Sequence, residues 1–100
     1  MADTSFDPAD YLKSDDAVAE YLTAALETGD AAYIADAIGV VARARGMTCI
    51  ARETGLSRES LYRALSAEGN PEFATVLRVI QAFGLKLEAT PAPRNASTSG

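Results

Sequence analysis

The chain has 100 residues, 48% of them hydrophobic and 23% charged, the proportions of one ordinary globular domain with a modest core. It has no histidine and a single cysteine, Cys49. That excludes disulfides within the chain, the common zinc sites and any nucleophile activated by histidine. A formal net charge of -5 is the wrong sign for a partner of nucleic acid, if the charge is spread evenly.

The charge is not spread evenly. Residues 1–38 hold nine acids (Asp3, Asp7, Asp10, Asp15, Asp16, Glu20, Glu27, Asp30, Asp36) against Lys13, a net of -8. Residues 39–69 hold Arg43, Arg45, Arg52, Arg58 and Arg63 against Glu53, Glu59 and Glu68, a net of +2. An acidic front thus precedes a mildly basic middle. Such asymmetry fits two surfaces with two partners, or an acidic face that serves solubility.

Residues 1–13 read as an N-terminal arm. Asp7-Pro8 is a turn signal, and Phe6, Tyr11 and Leu12 are apolar anchor points. The start is acidic and has no apolar core of a secretory signal, and no apolar run approaches the roughly 18 residues of a membrane span. The expected setting is cytoplasmic. From about Asp15, Val18, Tyr21, Leu22, Ala25 and Leu26 form one helical stripe, capped by Ser14 or Asp15 and stopped by Gly29. Asp30 caps a second helix, about 31–45, with Ile34, Ile38, Val41 and Ala42 inward and Gly46 at its end. Arg43 and Arg45 in its last turn either complement the helix dipole or serve nucleic acid.

Two short helices follow, from Met47 or Thr48 to Thr54 and about 58–67. After the loop Glu68-Gly69-Asn70-Pro71, a fifth helix, about 72–83, is expected to bury Phe73, Val76, Leu77, Ile80 and Phe83, with Gly84 as its stop. "LKLEAT", residues 85–90, alternates apolar and polar residues and predicts a short C-terminal β-strand, which needs a partner outside itself. Residues 91–100 are Pro/Ser-rich and read as a disordered tail. The expected fold class is all-α: a compact five-helix domain over 14–90 plus that strand.

The segment "MTCIARETGLSRESLYRALS", residues 47–66, has the spacing of a helix-turn-helix. Ala51 is the small residue where two steeply crossed helices touch. Gly55 accepts a positive φ in the turn. Ile50, Leu56 and Leu61 point inward, and Ser57 caps the second helix. In this motif the second helix enters the major groove. Arg58 can pair bidentately with guanine, Glu59 can accept from cytosine, and Arg63 can reach a base or a phosphate. Ser57, Ser60 and Tyr62 lie on the same turn or helix, with Ser60 and Tyr62 suited to phosphate and sugar. Thr48 and Arg52 are phosphate candidates. The plain structural alternative is a helical hairpin with a surface Glu59–Arg63 pair at i, i+4. Cys49 reads as a small buried or half-buried residue with no partner for redox chemistry.

The run "IARETGLSRESLYRALSAEGNPEFATVLRVIQAFGLKL", residues 50–87, resembles the Xre/Cro-like helix-turn-helix group, and within it the HigA-like addiction-module antidote proteins. "GLSRESLYRAL", "GNPEFATVL" and "AFGLKL" carry the likeness, as does the acidic, Tyr-Leu-bearing lead-in. Cys49 departs from the pattern, which often has glutamine there. The resemblance implies an antitoxin of a type II toxin–antitoxin module. Such a protein binds and neutralises a co-encoded RelE/HigB-type mRNA interferase toxin and represses its own operon by binding operator DNA. It also implies a homodimer, whose candidate elements are the fifth helix and the strand 85–90. An acidic surface suits a basic toxin, so Phe6, Asp10, Tyr11, Asp15, Asp16 and Glu20 are the toxin-facing candidates. No enzymatic activity, cofactor, metal, membrane or small-molecule substrate is expected. Two alternatives stay open: a stand-alone Cro-like repressor of prophage type, and an interaction module without DNA binding.

Overall fold

The computed structural model describes residues 12–93, and among these it contains five α-helices and no strand. They are α1 (Asp15–Glu27), α2 (Ala31–Arg45), α3 (Met47–Thr54), α4 (Arg58–Ala64) and α5 (Phe73–Ala82). No described helix is long and apolar enough to cross a membrane.

Short local signals punctuate the chain. The Ala17 N–H donates to the Ser14 hydroxyl oxygen at 3.0 Å, so Ser14 rather than Asp15 caps α1, and Asp15 and Asp16 occupy the dipole-favoured first turn. At the other end the Thr28 hydroxyl donates to the Ala25 carbonyl at 2.7 Å and accepts the Asp30 N–H at 3.1 Å. The Asp30 carboxylate then accepts the N–H groups of Ala32 and Tyr33, which starts α2. Gly46 ends α2 and opens α3 in one residue.

Helix α2 is the centre of the molecule and packs against α1, α3 and α4, while α3 packs in turn against α4 and α5. The expected inward residues Ile38, Val41 and Ala42 are buried, and Ile34 is half-buried. Ala35, Ala37 and Gly39 are buried as well, so the helix is enclosed on more than one side. Leu12, Val18, Leu22, Ile50, Leu61, Leu65, Val79 and Phe83 complete the core around it.

Gly39 marks the closest approach. A Cβ there would collide with the Leu65 carbonyl oxygen, so the end of α4 lies directly on the backbone of α2. This contact also ends α4 early. The helix was expected to run to about residue 67, yet it stops at Ala64, and Leu65 leaves helical geometry with φ -97° and ψ 63°. Its side chain is fully buried, so tertiary packing overrides a continuing helical pattern.

Two expectations fail at the carboxyl end. Phe73 was expected in the core but is 71% exposed. The apolar pattern of α5 runs its full length, but Val76 and Leu77, also expected in the core, are only half-buried, and full burial begins nearly two turns after Phe73. There Val79, absent from the expected set, is fully buried beside Ile80 and Phe83. The predicted strand 85–90 does not form. Its first residue is spent on a helix cap instead: Gly84, at φ 86°, donates to Gln81 O, and the Leu85 N–H donates to Ile80 O. That is the paired bonding of a Schellman stop. The residues after it run without regular structure as far as residue 93, because the described chain offers them no strand to pair with.

Alanine at position 39 gains about 1 kcal/mol in helix propensity, but it overpacks against backbone that cannot rotate away. Gly39→Ala is therefore expected to lose about 1–3 kcal/mol of stability. Thermal unfolding checks this, with a fall of roughly 4–8 °C per kcal/mol in a domain of this size.

Candidate nucleic-acid interface

The second half of α3, the turn 55–57 and α4 form one small unit. Gly55 closes α3 with φ 77°, a left-handed conformation that costs glycine nothing, and its N–H donates to Ala51 O at 2.9 Å. Thr54 is the least obvious part. Its side chain is buried, its hydroxyl donates to Ile50 O at 2.8 Å, and it accepts the Leu56 N–H at 3.3 Å. One hydroxyl thus fastens the end of α3 to the turn. The sequence reading passed over Thr54. Its signal was a threonine four residues after a core isoleucine and immediately before the turn glycine.

Ser57 starts α4. Its hydroxyl oxygen accepts the Ser60 N–H at 3.0 Å, and its O–H donates to Ser60 Oγ at 2.9 Å. Leu61 and Leu65 turn inward and are buried, with Leu56 half-buried against them. Arg58, Glu59, Ser60, Tyr62 and Arg63 are all exposed, as are Thr48 and Arg52 on α3. The eight nucleic-acid candidates named from sequence therefore sit on the solvent-facing sides of two adjoining helices and their turn. The Glu59–Arg63 ion pair is not formed. Instead the Arg58 guanidinium lies 5.9 Å from the centre of the Tyr62 ring, at the outer reach of a cation–π contact. Stacking of this kind restricts the arginine and leaves its donor edge outward. Cys49 is half-buried, and its thiol faces Glu53 Oε2 at 3.8 Å on α3 itself.

The acidic candidates divide. Phe6, Asp10 and Tyr11 lie outside the described residues. Asp15, Asp16 and Glu20 are exposed on α1. Asp15 is committed within the chain, because its carboxylate accepts from Arg45 at 2.8 Å. The same arginine donates to the carbonyls of Leu12 and Phe83, each at 3.4 Å. Arg45 therefore ties the start of α1, the end of α2 and the end of α5. Its place in the last turn of α2 agrees with the dipole role weighed from sequence, and the three bonds add a clasp that sequence did not show. Nearby on α1 and α2, burial raises the Tyr21 hydroxyl pKa above the usual tyrosine value. Tyr33 and Asp36 add to the effect, and Arg43 opposes it. Among the described residues no group of histidine, cysteine or carboxylate side chains could hold a metal ion, and no buried side-chain nitrogen or oxygen lacks a partner.

These features define a small helical protein whose exposed polar side chains are mounted on a rigid pair of short helices. A family model described as "Probable addiction module antidote protein" matches residues 2–91. The chain belongs to that family. It is also similar to an uncharacterized protein of Haemophilus influenzae, 46% identical over 83 residues, which cover 83% of this chain and 86% of the relative. No solved structure matches. Family membership makes the chain an antidote, the antitoxin half of an addiction module, and implies a toxin as its partner.

Thr54→Val keeps the shape and removes the hydroxyl. The Leu56 N–H then loses its acceptor, and urea denaturation should show a loss of about 1–2 kcal/mol. Serine at the same position retains the bond and should recover most of that loss.

Proposed function

We propose that the chain is the antitoxin of a type II toxin–antitoxin module. It neutralises a RelE/HigB-type mRNA interferase by direct binding, and it represses its own operon as a homodimer bound to operator DNA in the cytoplasm. The observation that carries the DNA half is the α3–turn–α4 unit, read as a helix-turn-helix. Its buried side, through Ile50, Thr54, Leu61 and Leu65, fixes the angle between the helices. Its open side carries Arg52, Arg58 and Arg63 with Thr48, Ser57, Glu59, Ser60 and Tyr62.

In this reading α4 is the recognition helix and lies in the major groove. Arg58, steadied by Tyr62, pairs with the O6 and N7 of a guanine. Glu59 accepts from a cytosine amino group, and Arg63 reaches a base or a phosphate one turn on. Thr48, Arg52, Ser57, Ser60 and Tyr62 hold the sugar-phosphate backbone and set register without reading sequence. The chain's negative charge does not oppose this, because eight net negative charges lie within residues 1–38 and the segment 39–69 is net positive. The acidic front suits the toxin half, since a nuclease that attracts RNA phosphates also attracts carboxylates. Asp16 and Glu20 remain candidates there, and Asp15 contributes only if its bond to Arg45 is exchanged.

Gel shift with the DNA upstream of the gene tests the repressor half. Arg58→Ala should weaken specific binding by about 1–3 kcal/mol and relax the preference at one base pair. Arg52→Ala should weaken binding evenly across sequences and flatten the salt dependence. Unchanged specific binding by Arg58→Ala removes Arg58 from operator reading. Co-expression tests the antitoxin half: the protein should rescue cells from the product of the adjacent gene and co-purify with it.

A further inference from the structure

The segment after Gly84 is left with almost nothing to bond to. It runs beside α1, where Leu85 and Leu87 stand on one wall of a groove of about 510 Å³ and Leu22 and Leu26 on the other. Residues 86–90 are all exposed, and Leu87 is 39% exposed despite its apolar side chain. Beyond the Leu85 N–H, no backbone group of residues 85–90 has a hydrogen-bond partner among the described residues. A row of open backbone groups is a template for an added strand. In "LKLEA", residues 85–89, Leu85, Leu87 and Ala89 alternate with Lys86 and Glu88. In a strand the first three share one face and the two charges the other. Laid antiparallel against a copy of itself, with Leu87 opposite Leu87, the stretch is self-complementary: Lys86 falls opposite the partner's Glu88, Glu88 opposite the partner's Lys86, and Leu85 opposite the partner's Ala89.

We propose that two copies of the chain meet along residues 85–89 in this register, as a two-stranded antiparallel ribbon whose two-fold axis passes at Leu87. The proposal rests on the homodimer in the reading above and assigns its surface. The charge order selects a second copy as the occupant. Each strand supplies the acid that the other's lysine faces, and opposite charges directly across a strand pair attract while like charges repel. A strongly basic strand from another protein meets Lys86, and a strongly acidic one meets Glu88. The same order fixes the register. A slip of two residues sets Lys86 opposite Lys86 or Glu88 opposite Glu88, and a slip of one turns the leucines to the charged face. The remaining charges nearby are acids of α1. Glu27 lines the hollow that continues the groove, and Asp16 and Glu20 fall on the same stripe of the helix as Thr23. With the partner strand on the edge turned away from α1, the two copies of α1 lie on opposite flanks of the ribbon, so these acids do not meet. The strand pattern of residues 85–90 is then realised only in the dimer, where a second chain supplies the hydrogen bonds that one chain lacks.

Sedimentation velocity of the full-length chain over a concentration series tests the proposal, with circular dichroism as the check on folding. The wild type should dimerise. Lys86→Glu and Glu88→Lys should each keep the fold, because both side chains are exposed, and should each weaken the dimer about tenfold or more, since each sets two like-charge pairs across the ribbon. The double variant Lys86→Glu/Glu88→Lys should restore the dimer. Glu68→Lys, which changes the net charge as Glu88→Lys does but lies outside the segment, should leave it intact. Leu87→Cys in a Cys49→Ser background should link two chains by a disulfide on mild oxidation, because a residue on the axis faces its own copy at about 4.5–5.5 Å between Cα atoms. A monomeric wild type overturns both this interface and the homodimer of the reading above. A dimer indifferent to the single swaps, a double variant as weak as the singles, or a Leu87→Cys chain that does not link overturns the interface alone. So does a swap that spares the dimer but abolishes the complex with the adjacent gene's product, since the segment then belongs to the toxin. A dimer that obeys the swaps yet fails to shift operator DNA upholds the interface and counts against the repressor reading alone.

Discussion

The fold hangs on one place where a side chain is missing. Gly39 sits in the middle of α2, and the absence of its Cβ lets the Leu65 carbonyl rest on the helix backbone. That single approach sets how deep α4 lies, where α4 ends, and hence which of its residues face outward. Leu61 and Leu65 go in because the helix is held close. Arg58, Glu59, Tyr62 and Arg63 go out as a consequence. In a close-packed interior such a contact has little tolerance, since neighbours cannot move apart by a methyl group without strain.

The second constraint is electrostatic and longer in range along the chain. Arg45 reaches Leu12, Asp15 and Phe83, so the two ends of the helical core are joined through the end of α2. Its effect on function is indirect. It draws Asp15 out of the acidic surface and into the architecture. The basic residues of α3 and α4 sit on a separate pair of helices. Those helices carry Arg52, Arg58 and Arg63 together with Glu53 and Glu59, so the separation of acid from base is one of chain order more than of isolated surfaces.

Helix number, order and most boundaries were legible because each depends on neighbours in the chain. Ser14, Asp30 and Ser57 cap through bonds to residues two or three places on. Gly46, Gly55 and Gly84 stop helices at positive φ. The exposed set on α3 and α4 followed from the inward placement of Ile50, Leu61 and Leu65. Three things were not legible. A helical pattern continues past Ala64, so only the contact with Gly39 shows where α4 stops. The apolar pattern of α5 begins at Phe73, yet burial depends on how far the neighbouring helices extend. And alternation over 85–90 describes a residue pattern that can form a strand, while a strand exists only where another chain segment supplies the hydrogen bonds.

Sequence alone determined the all-helical class, the five helices, the separation of acid from base along the chain and the residues left exposed on α3 and α4. These rest on helix periodicity, capping and charge order, all properties of residues a few places apart. The tertiary structure alone decided that Arg45 is a clasp, that Thr54 fastens the turn, that Gly39 seats α4, and that Phe73 stands outside the core. Those outcomes depend on distances between residues up to 38 places apart, and on the reach of helices whose packing no local pattern encodes.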